Sequence, residues 1–483
     1  MIYDKNYYLN TFKVTEEQLE DLTRIALAHG GNYSDLFFEN TCSRELNLRD
    51  SKVSSGGFHV DYGVGIRVLC GEKTGYAYCE NTRMDDMRNA AKAASAIAQG
   101  IAVGGGSNPY TDRATRSYPG KPNPAADRYP ILKSWDGCAA EELAAVLRRL
   151  EELVRAKDSR VVKVMAMSSG STSDILMYNS LGELKYETRP MGTIILSIIF
   201  TDGKGMQNNH VSRSYRAGAE MLSDALLEEL ATEATSGIDN LLSAKRPKGG
   251  RMSVVMGAGA SGILLHEAMG HAFEADFNRK GQSIFSDKMG KRICREGINI
   301  VDDGTIKGGR GSLNFDDEGV PAQRTVMVED GILTSYLHDR ISANFYDVSP
   351  TGNGRRESFR FNPIPRMRAT YMESGDSTPE DIIASVREGI YVDEFANGQV
   401  KIGEGDFTFY VKSGFLIEDG HLTQPVKDIN IMGNGPRALS DIVAVGNDCK
   451  VDEGAWICGK EQSVPVACGI PTVLVENLIV GGE

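Results

Sequence analysis

The stretch RMSVVMGAGASGILLHEAMGHAFEADF, residues 251–277, predicts a strand, a glycine-rich turn and a helix, and it contains the pattern H-E-x-x-x-H. His266 and His271 are five residues apart, whereas a zincin helix places its two histidine ligands four apart on one face. On a regular α-helix five residues correspond to a rotation of about 140°, which would direct the two rings apart. We therefore predict that a π-bulge or a break in the helix brings both rings to one divalent metal, with Gly270 supplying backbone freedom.

Two histidines do not complete a catalytic metal site, which has three protein ligands and an open position for water. Glu267 lies between the two histidines and is the candidate general base. The spacing leaves the third ligand open among Glu274, Asp276, His338, His421 and several cysteines. Most isolated histidines are structural, and we expect this of His338 and His421. The alternative for the whole motif is a chance cluster of polar residues on a helix face.

The same stretch contains G-x-G-x-x-G at Gly257, Gly259 and Gly262, the pattern of a dinucleotide-binding turn. In that class an acidic residue lies at the end of a second parallel strand. Here Glu274 and Asp276 fall where the sequence still indicates helix. A simpler interpretation is that small residues let the start of the helix pack closely on a strand. A nucleotide-binding oxidoreductase remains an alternative, and we expect no nucleotide cofactor.

Over the whole chain, the patterns predict an α+β protein with several domains, because 483 residues exceed what one hydrophobic core serves. Residues 1–103 indicate an N-terminal α+β domain with an antiparallel sheet, and the Gly- and Pro-rich residues 104–130 indicate a loop or linker. Residues 131–245 predict a central α+β region packed with the N-terminal domain. Residues 246–483 predict a largely antiparallel, β-rich C-terminal domain that carries the metal-binding helix.

Several individual elements follow from local patterns. Thr15 and Gln18 form a predicted capping box at the start of a helix. Separate strands are predicted at 161–168 and 172–179, and one helix from about Ala219 to Leu242. In the C-terminal domain the D-G pairs at 330–331 and 419–420 are hairpin signals.

Composition excludes other classes of protein. The formal charge of −13 argues against the broadly basic face that duplex binding needs, so we expect no nucleic-acid partner. The apolar stretches, such as residues 191–200, are too short to span a bilayer, and the first residues lack a signal-peptide pattern. Eight scattered cysteines without a C-x-x-C pair suit free thiols in a reducing compartment. We therefore expect no membrane partner and a cytoplasmic location.

Beyond these local patterns, the sequence resembles the TldD/PmbA metallopeptidases, and specifically their metal-binding TldD-type subunit. The resemblance extends over nearly the whole chain. It rests on several long segments, namely GILLHEAMGHAFEADFNRKG (262–281), DDGTIKGGRGSLNFDDEGVPAQRT (302–325), TGNGRRESFRFNPIPRMRATYM (351–372), VKDINIMGNGP (426–436), ICGKEQSVPVACGIPTVLV (457–475) and, near the N-terminus, YGVGIRVLCGEKTGYAY (62–78).

The resemblance implies a metal-dependent peptidase that cleaves unfolded or flexible peptides and whose C-terminal β-rich domain is the metallopeptidase domain. It selects Cys458, in the segment C-G-K, as the third ligand beside His266 and His271, with Glu267 as general base. A thiolate with two imidazoles suits Zn²⁺, with Fe²⁺ as the alternative. The implied partner is a PmbA/TldE-type subunit or a second copy of the chain.

Further roles stay open at this stage. Arg355 and Arg356 are candidates for stabilising the carbonyl oxygen or binding a substrate carboxylate, and a solvated or structural arginine pair is the alternative. Two competing hypotheses concern the protein as a whole. It would be a catalytically silent scaffold subunit of a peptidase complex, or an enzyme that uses Cys458 as a nucleophile.

Overall fold

The N-terminal half of the protein is built on one antiparallel sheet of six long strands. The computed structural model describes residues 3–101, 128–401 and 403–482, so the predicted linker 104–130 lies outside these ranges except for its last three residues. The strands run in the order β3-β2-β1-β4-β5-β6. They are β1 (Tyr33–Arg49), β2 (Lys52–Cys70), β3 (Lys73–Cys79), β4 (Val161–Asn179), β5 (Leu184–Thr201) and β6 (Met206–Tyr215). The N-terminal and central regions therefore share a sheet, while the division of the chain into domains stays a prediction.

Helices cover one face of this sheet at both ends of its long strands. They are α1 (Lys5–Phe12), α2 (Glu16–Ala26), α3 (Met84–Ile101), α4 (Ala140–Lys157), α5 (Asp224–Thr235) and α6 (Ile238–Ser243). Leu36 of β1 packs with α2 and α3, and Leu46 of the same strand and face packs with α4. Phe37 points to the opposite face, where it meets Phe315 and Phe359 of the C-terminal half. Because successive side chains of a strand point to opposite faces, β1 packs against the helices on one face and against the C-terminal half on the other.

Two local predictions in this half need correction, and one is confirmed. The single helix predicted from Ala219 to Leu242 is wrong, because the chain forms a 3₁₀ turn and then α5 and α6. Gly237 separates these helices in the left-handed region at φ 70°. The two strands predicted at 161–168 and 172–179 are one continuous strand, β4. The capping box at Thr15 and Gln18 is confirmed.

The C-terminal half contains many short strands and few helices, so the predicted α+β class with a β-rich C-terminal part is confirmed. Its helices are α7 (Ile263–Leu265), α8 (Ala275–Arg279), α9 (Arg340–Tyr346), α10 (Pro379–Ala384) and α11 (Gly435–Ser440). Its strands are β7 (Gly250–Met256), β8 (Ile300–Asp303), β9 (Arg324–Glu329), β10 (Ile332–Leu333), β11 (Gly354–Arg355), β12 (Ile364–Pro365), β13 (Ala369–Met372), β14 (Glu388–Lys401), β15 (Asp406–Glu418), β16 (His421–Val426), β17 (Ile429–Asn434), β18 (Ile442–Val445), β19 (Lys450–Val451), β20 (Ile457–Lys460), β21 (Gln462–Pro465), β22 (Ala467–Ile470) and β23 (Val473–Gly481).

Two larger sheets enclose the segment that carries H-E-x-x-x-H. One sheet has the order β10-β9-β8-β13-β22-β19, and the other has the order β14-β7-β23-β17-β15-β16, with β18 on β23. β14 also pairs with β15, so five strands of the second sheet close into a ring. Leu264, Met269 and Phe273 are buried in one core with residues of both sheets. The motif therefore runs through the interior of the C-terminal half.

Both predicted D-G hairpins are confirmed. Asp330 and Gly331 have φ of 48° and 76° and join β9 to β10. Asp419 and Gly420 have φ of 47° and 78° and join β15 to β16. Left-handed backbone at both central residues is the geometry of a two-residue hairpin turn. Among the helices in the described ranges, none combines the length and the apolar character needed to cross a bilayer.

Charged side chains are buried where the N-terminal sheet meets the C-terminal half. Arg67 of β2 has no exposed surface, and it donates hydrogen bonds to Asp35 at 2.9 Å and to Glu318 at 2.6 Å. The backbone N–H of Arg340 donates to Glu318 at 2.7 Å, and its guanidinium lies 4.7 Å from the ring centre of Tyr33. We call Arg67, Asp35, Glu318 and Arg340 the seam cluster. Its ion pair between Arg67 and Glu318 connects the N-terminal sheet with the C-terminal half.

Candidate metal centre

The backbone at the predicted metal-binding helix changes its winding within eleven residues. After α7 the chain forms a π-helical turn at His266–Gly270 and then a 3₁₀ turn at His271–Phe273. The N–H of His271 donates to the carbonyl of His266, which is the i→i+5 hydrogen bond of a π-turn. The wider turn brings residues five apart toward one side. Of the two predicted alternatives, a π-bulge or a break in the helix, the structure has the π-bulge between the two histidines.

Gly270 has a different role from the one predicted. Its φ of −55° and ψ of −53° are ordinary helical values, so the π-turn does not use the conformational freedom of glycine. A Cβ at this position would lie 2.2 Å from the sulfur of Met367, which is fully buried. A side chain at this position would require Met367 to move, so close packing accounts for the glycine.

The structure brings His266, His271 and Cys458 together. Their ligand atoms all lie within 4.8 Å of one another, and all three side chains are buried. The imidazole centres are 5.0 Å apart with an interplanar angle of 80°. Sγ of Cys458, on β20, lies 3.3 Å from Nε2 of His271. Two nitrogen donors from one turn and a sulfur donor from a distant strand therefore surround one point.

The charges of this cluster favour the metal-binding form of its thiol. Burial raises the pKa of Cys458, but the imidazoles of His266 and His271 outweigh it and lower that pKa to about 5. Burial lowers the pKa of His271, whereas the Glu274 carboxylate and Cys458 raise it to about 10. A thiolate is the form of cysteine that binds metals.

Glu267 is only partly exposed and lies next to His266 in the π-turn. Burial raises the pKa of its carboxyl group; the two imidazoles oppose this shift, and Cys458 and Glu274 add to it. A carboxylate with a raised pKa is a stronger base than an ordinary surface glutamate.

A second layer of side chains fixes the orientation of His271. Glu274 has no exposed surface, and its Oε2 lies 3.1 Å from Nδ1 of His271 and 3.0 Å from Nζ of Lys460. Lys460 also donates to Asp276 at 2.7 Å. Glu274 and Asp276, left open as ligands by the spacing, thus lie behind His271 and not among the three donors. The alternation of β20 presents Cys458 and Lys460 to the same buried side.

Lys460 and the role of Glu274 were not predicted from the sequence. The spacing of His271 and Glu274, three residues on a helix face, was a usable signal. The spacing of two residues between Cys458 and Lys460 would have shown that they share a strand face. Their meeting with the helix across more than 180 residues of chain gave no local signal.

His266 has a less constrained environment. Its Nδ1 is buried and has no hydrogen-bond partner within residues 3–101, 128–401 and 403–482. A buried ring nitrogen without a partner is costly and calls for an explanation, such as a ligand or an ordered water. The two histidines therefore differ in what holds their rings: the Glu274 carboxylate contacts Nδ1 of His271, whereas no side chain in the described ranges contacts Nδ1 of His266.

The structure places Arg355 and Arg356 inside the protein. The guanidinium of Arg355 donates to the carbonyl oxygens of Met367 at 2.6 Å and Pro465 at 2.8 Å. Arg356 donates to the carbonyl oxygen of Asp317 at 2.9 Å, and its guanidinium lies 4.3 Å from the ring centre of Phe37. These contacts favour a structural role for both arginines. Their role in substrate binding stays a prediction.

The remaining histidine candidates lie apart from the three donors. His338 is buried between the rings of Tyr336 and Tyr346, at centroid distances of 6.2 and 5.5 Å. His421 is exposed at the start of β16. In the described ranges, the group of His, Cys, Asp and Glu side chains arranged to hold a metal consists of His266, His271 and Cys458.

The glycine-rich turn after β7 does not have the surroundings of a dinucleotide site. β7 lies between β14 and β23, whereas the next strand in sequence, β8, belongs to the other sheet. A dinucleotide fingerprint needs a strand–helix–strand unit in one parallel sheet. A Cβ on Gly262 would lie 2.4 Å from the backbone nitrogen of Gly469 in β22. Close packing on a strand, the simpler interpretation, accounts for this glycine.

Comparisons with known proteins point to one family along most of the chain. Profiles of the PmbA/TldA metallopeptidases match as domain 1 at residues 34–98, as the central domain at 136–242 and as the C-terminal domain at 249–482. The metalloprotease TldD homolog of Haemophilus influenzae is 36% identical over 483 residues, covering 99% of this chain and 98% of its own length. The names of these relatives support a metallopeptidase in general.

Solved structures share the fold. A Thermotoga maritima protein described as a modulator of a DNA gyrase aligns with a TM-score of 0.75 at 24% identity, covering 97% of this chain and 100% of its own. TldE from Thermococcus kodakarensis aligns with a TM-score of 0.72 at 19% identity, covering 96% and 100%. With the sequence matches, these findings show that the chain belongs to the PmbA/TldD metallopeptidase family.

Proposed function

We propose that this protein is a metal-dependent peptidase in which His266, His271 and Cys458 hold a catalytic Zn²⁺, with Fe²⁺ as the alternative. The convergence of these three donors within 4.8 Å on a π-turn is the observation that carries the proposal. Zinc bound tetrahedrally by nitrogen and sulfur separates such donors by about 3.3–3.6 Å. The 3.3 Å between Cys458 Sγ and His271 Nε2 fits that geometry.

A divalent metal at this position supplies Lewis acidity and lowers the pKa of water. Glu267 lies beside the donors and is less buried than its neighbours in the turn. Its carboxylate accepts the proton of the attacking water and returns it to the amine that leaves.

The side chains behind the donors keep His271 ready to bind. Glu274 accepts a hydrogen bond from Nδ1–H of His271, so Nε2 is the ring nitrogen directed toward Cys458, and a metal bound there would displace its proton. Lys460 neutralises the buried carboxylate and thereby keeps it in place. A carboxylate behind a metal-binding histidine fixes the tautomer and the orientation of the ring.

We propose unfolded or flexible peptides as substrates, because extended segments commonly bind by adding a strand to a sheet edge. In the described part of the chain β20, which carries Cys458, pairs with β21 in a two-stranded sheet, so its other edge is a candidate for such a strand. The likeness to TldE supports a PmbA/TldE-type partner subunit, and a second copy of the chain is the other candidate. The thiolate ligand and the free cysteines suit the reducing cytoplasm.

The test is Glu267→Gln assayed on an unstructured peptide, with metal content measured on the same samples. We expect hydrolysis to fall by about 10²–10⁴-fold, because the general base is lost, while the metal remains bound. Glu296→Gln, at an exposed glutamate elsewhere in the same half, is the matched control and retains full activity. Unchanged hydrolysis by Glu267→Gln would refute the assigned role.

Metal removal separates the proposed peptidase from a scaffold subunit and from a cysteine-nucleophile enzyme. A peptidase of the proposed type loses hydrolysis on chelation and regains it with added Zn²⁺. A silent scaffold binds no stoichiometric metal and hydrolyses nothing. A Cys458 nucleophile works after chelation and is stopped by thiol alkylation.

A further inference from the structure

Two arginines, Arg216 and Arg310, meet where the N-terminal sheet contacts the segment that leads to Cys458. Arg216 follows β6, and Arg310 lies in the loop after β8. An isolated antiparallel bridge joins Tyr215 to Gly309, the residues immediately before them. The two arginines are therefore diagonal neighbours on one face of this bridge, about 7–8 Å apart, a separation that long side chains span. We call Arg216 and Arg310 the arginine pair.

Both guanidinium groups of the pair lie over β5. Nη1 of Arg310 lies 3.5 Å from Oγ1 of Thr193 and 3.5 Å from Sδ of Met191. Nη1 of Arg216 lies 3.4 Å from the carbonyl oxygen of Pro190. Burial, and after it the positive charge of Arg216, lowers the pKa of Arg310 to about 10. The two positive charges therefore lie near each other on the same strand.

The arginine pair has no counter-ion in the part of the chain that the structure describes. Arg216 is 9% exposed and Arg310 is 7% exposed, yet no carboxylate of those residues forms an ion pair with either guanidinium. Arg310 instead donates to the carbonyl oxygen of Trp456 and to the hydroxyl group of Ser214. Nε of Arg216 is buried and has no partner there. Two buried cations thus have only neutral partners.

A third arginine on the same sheet shows the usual arrangement. Arg189 of β5 is equally buried, and it contacts two carboxylates, those of Glu187 and Asp317. Buried charges are normally paired, because an unpaired charge loses its hydration without compensation. The arginine pair therefore fits an anion that comes from outside the chain. A carboxylate suits two adjacent guanidinium groups, since its oxygens accept several charge-assisted hydrogen bonds.

The arginine pair also lies close to the candidate metal centre. Nε of Arg310 donates to the carbonyl oxygen of Trp456 at 2.8 Å, and Cys458 follows two residues later, at most about 7 Å along an extended chain. Met191, which contacts Arg310, also lines an open groove of about 340 Å³ with Ser169 and Ser171 of β4. A peptide that runs from this groove to the metal centre would pass the pair.

We propose that Arg216 and Arg310 bind a carboxylate of the peptide substrate, one or two residues from the bond that is cleaved. The inference rests on the proposed peptidase function and names residues that select its substrates. An extended peptide advances about 3.3 Å per residue, so this spacing matches the separation between Trp456 and Cys458. The free C-terminus of a peptide and the side chain of Asp or Glu within it both supply such a carboxylate.

The first test compares three forms of one neutral, unstructured peptide as substrates of the metal-loaded wild type. The forms are the C-terminal amide, the free acid, and the amide with glutamate in place of a glutamine two residues from the cleaved bond. We expect one carboxylate form to exceed the neutral amide in kcat/KM by at least about tenfold, mainly through KM. A preferred free acid assigns the C-terminus, and a preferred glutamate form assigns a side chain. Equal values for all three forms overturn the proposal.

The second test removes one charge of the pair. In Arg310→Gln we expect the ratio of kcat/KM between the preferred form and the neutral amide to fall to about one, because the charge-assisted hydrogen bonds are lost. The ratio is independent of how much of the variant folds, and Arg216→Gln gives the same test if Arg310→Gln does not fold. Arg310→Lys retains part of the preference. Arg251→Gln, at an exposed arginine that donates to the carbonyl oxygen of Asn477, is the control and retains all of it. A full preference in both glutamine variants overturns the assignment.

Binding separates a failure of this inference from a failure of the peptidase function. The three peptides, labelled with a fluorophore, are titrated with the Glu267→Gln protein, and fluorescence anisotropy gives their dissociation constants. Tighter binding of a carboxylate form by at least about tenfold, together with no hydrolysis by the wild type, supports the arginine pair and refutes the peptidase. Hydrolysis by the wild type with equal dissociation constants for the three peptides overturns this inference alone.

Discussion

Two buried groups of charged and polar side chains in the described part of the chain, the seam cluster and the candidate metal centre, differ in how their members are paired. In the seam cluster, the cation Arg67 contacts two carboxylates, Asp35 and Glu318, within the chain. In the candidate metal centre, the three possible ligands His266, His271 and Cys458 converge on each other, and Nδ1 of His266 has no partner in the described ranges. Pairing within the chain indicates a structural role. Converging donors indicate a ligand from outside.

The largest expected effect is on the metal centre. Cys458→Ser removes the thiolate donor, so we expect hydrolysis to fall by about 10⁴-fold or more because Lewis acidity and activated water are lost together. Metal content, measured by plasma mass spectrometry, falls in parallel. Cys449→Ser, at a partly exposed free cysteine, is the control. Full metal content in Cys458→Ser would show that Cys458 is not a ligand, and the contrast between the candidate metal centre and the seam cluster would then be lost.

The next effect is on the seam cluster and concerns stability. Arg67→Met leaves Asp35 and Glu318 buried without their cation, so we expect the free energy of unfolding to fall by about 3–5 kcal/mol. Urea denaturation measures this loss, and metal stoichiometry stays unchanged. Arg24→Met breaks an exposed ion pair with Asp21 and costs at most about 1 kcal/mol. Equal losses in the two variants would show that the seam cluster is not structural.

A smaller effect separates the two histidines of the metal centre. Glu274→Gln weakens the hold on His271, so we expect the dissociation constant of the metal to rise by about 10–100-fold. Competition with a chromogenic chelator measures it directly, without reference to hydrolysis. Asp276→Asn removes the other carboxylate that contacts Lys460 and leaves His271 oriented. Metal affinity that is unchanged in Glu274→Gln contradicts the positioning role.

The smallest expected effect concerns His338, a buried histidine outside the candidate metal centre. We expect it to change the pH dependence of the free energy of unfolding and to leave metal binding unchanged. Burial lowers the pKa of His338 from its ordinary value to about 4, and its Nδ1 also has no partner in the described ranges. The unfolded chain then takes up the proton first, so stability is full above about pH 6.5 and is lost as pH falls toward 4.

At pH 5 this loss amounts to about 2 kcal/mol relative to neutral pH. Urea denaturation of the wild type and of His338→Phe at pH 7.5 and pH 5 isolates it, because the variant lacks the titrating group. We expect the wild type to lose about 2 kcal/mol more than the variant, with metal content equal in both. Identical losses would show that His338 does not titrate as its burial requires.

The sequence predicted features whose causes are local. The capping box at Thr15 and the D-G turns each follow from the conformational preferences of a few neighbouring residues. The π-turn was predicted from the spacing of His266 and His271, because residues five apart share a side only when the helix is locally widened. The break at Gly237 was missed, because the apolar spacing of α5 continues into α6 and conceals it.

Features that depend on tertiary packing were not accessible in this way. Lys460 reaches Glu274 from a distant strand, and the seam cluster joins residues about 250 positions apart. Gly270 was predicted to supply backbone freedom, whereas in the structure it lets the turn pack closely against the distant side chain of Met367. The third ligand, Cys458, came only from the resemblance to a known family, since residue spacing left several candidates open.

A π-turn is equivalent to an α-helix that carries one inserted residue, and this relation connects H-E-x-x-x-H to the shorter zincin motif. Deleting Gly270 would produce H-E-A-M-H, with the histidines at the spacing an ordinary helix needs. Without the inserted residue the turn would return to ordinary α-helical winding, so the second histidine would keep nearly the same direction relative to His266. Glu274 follows His271 by three residues and would move with it. The inserted residue therefore changes the spacing of the two histidines along the sequence but hardly changes the direction of their rings, and the carboxylate behind His271 is compatible with either spacing.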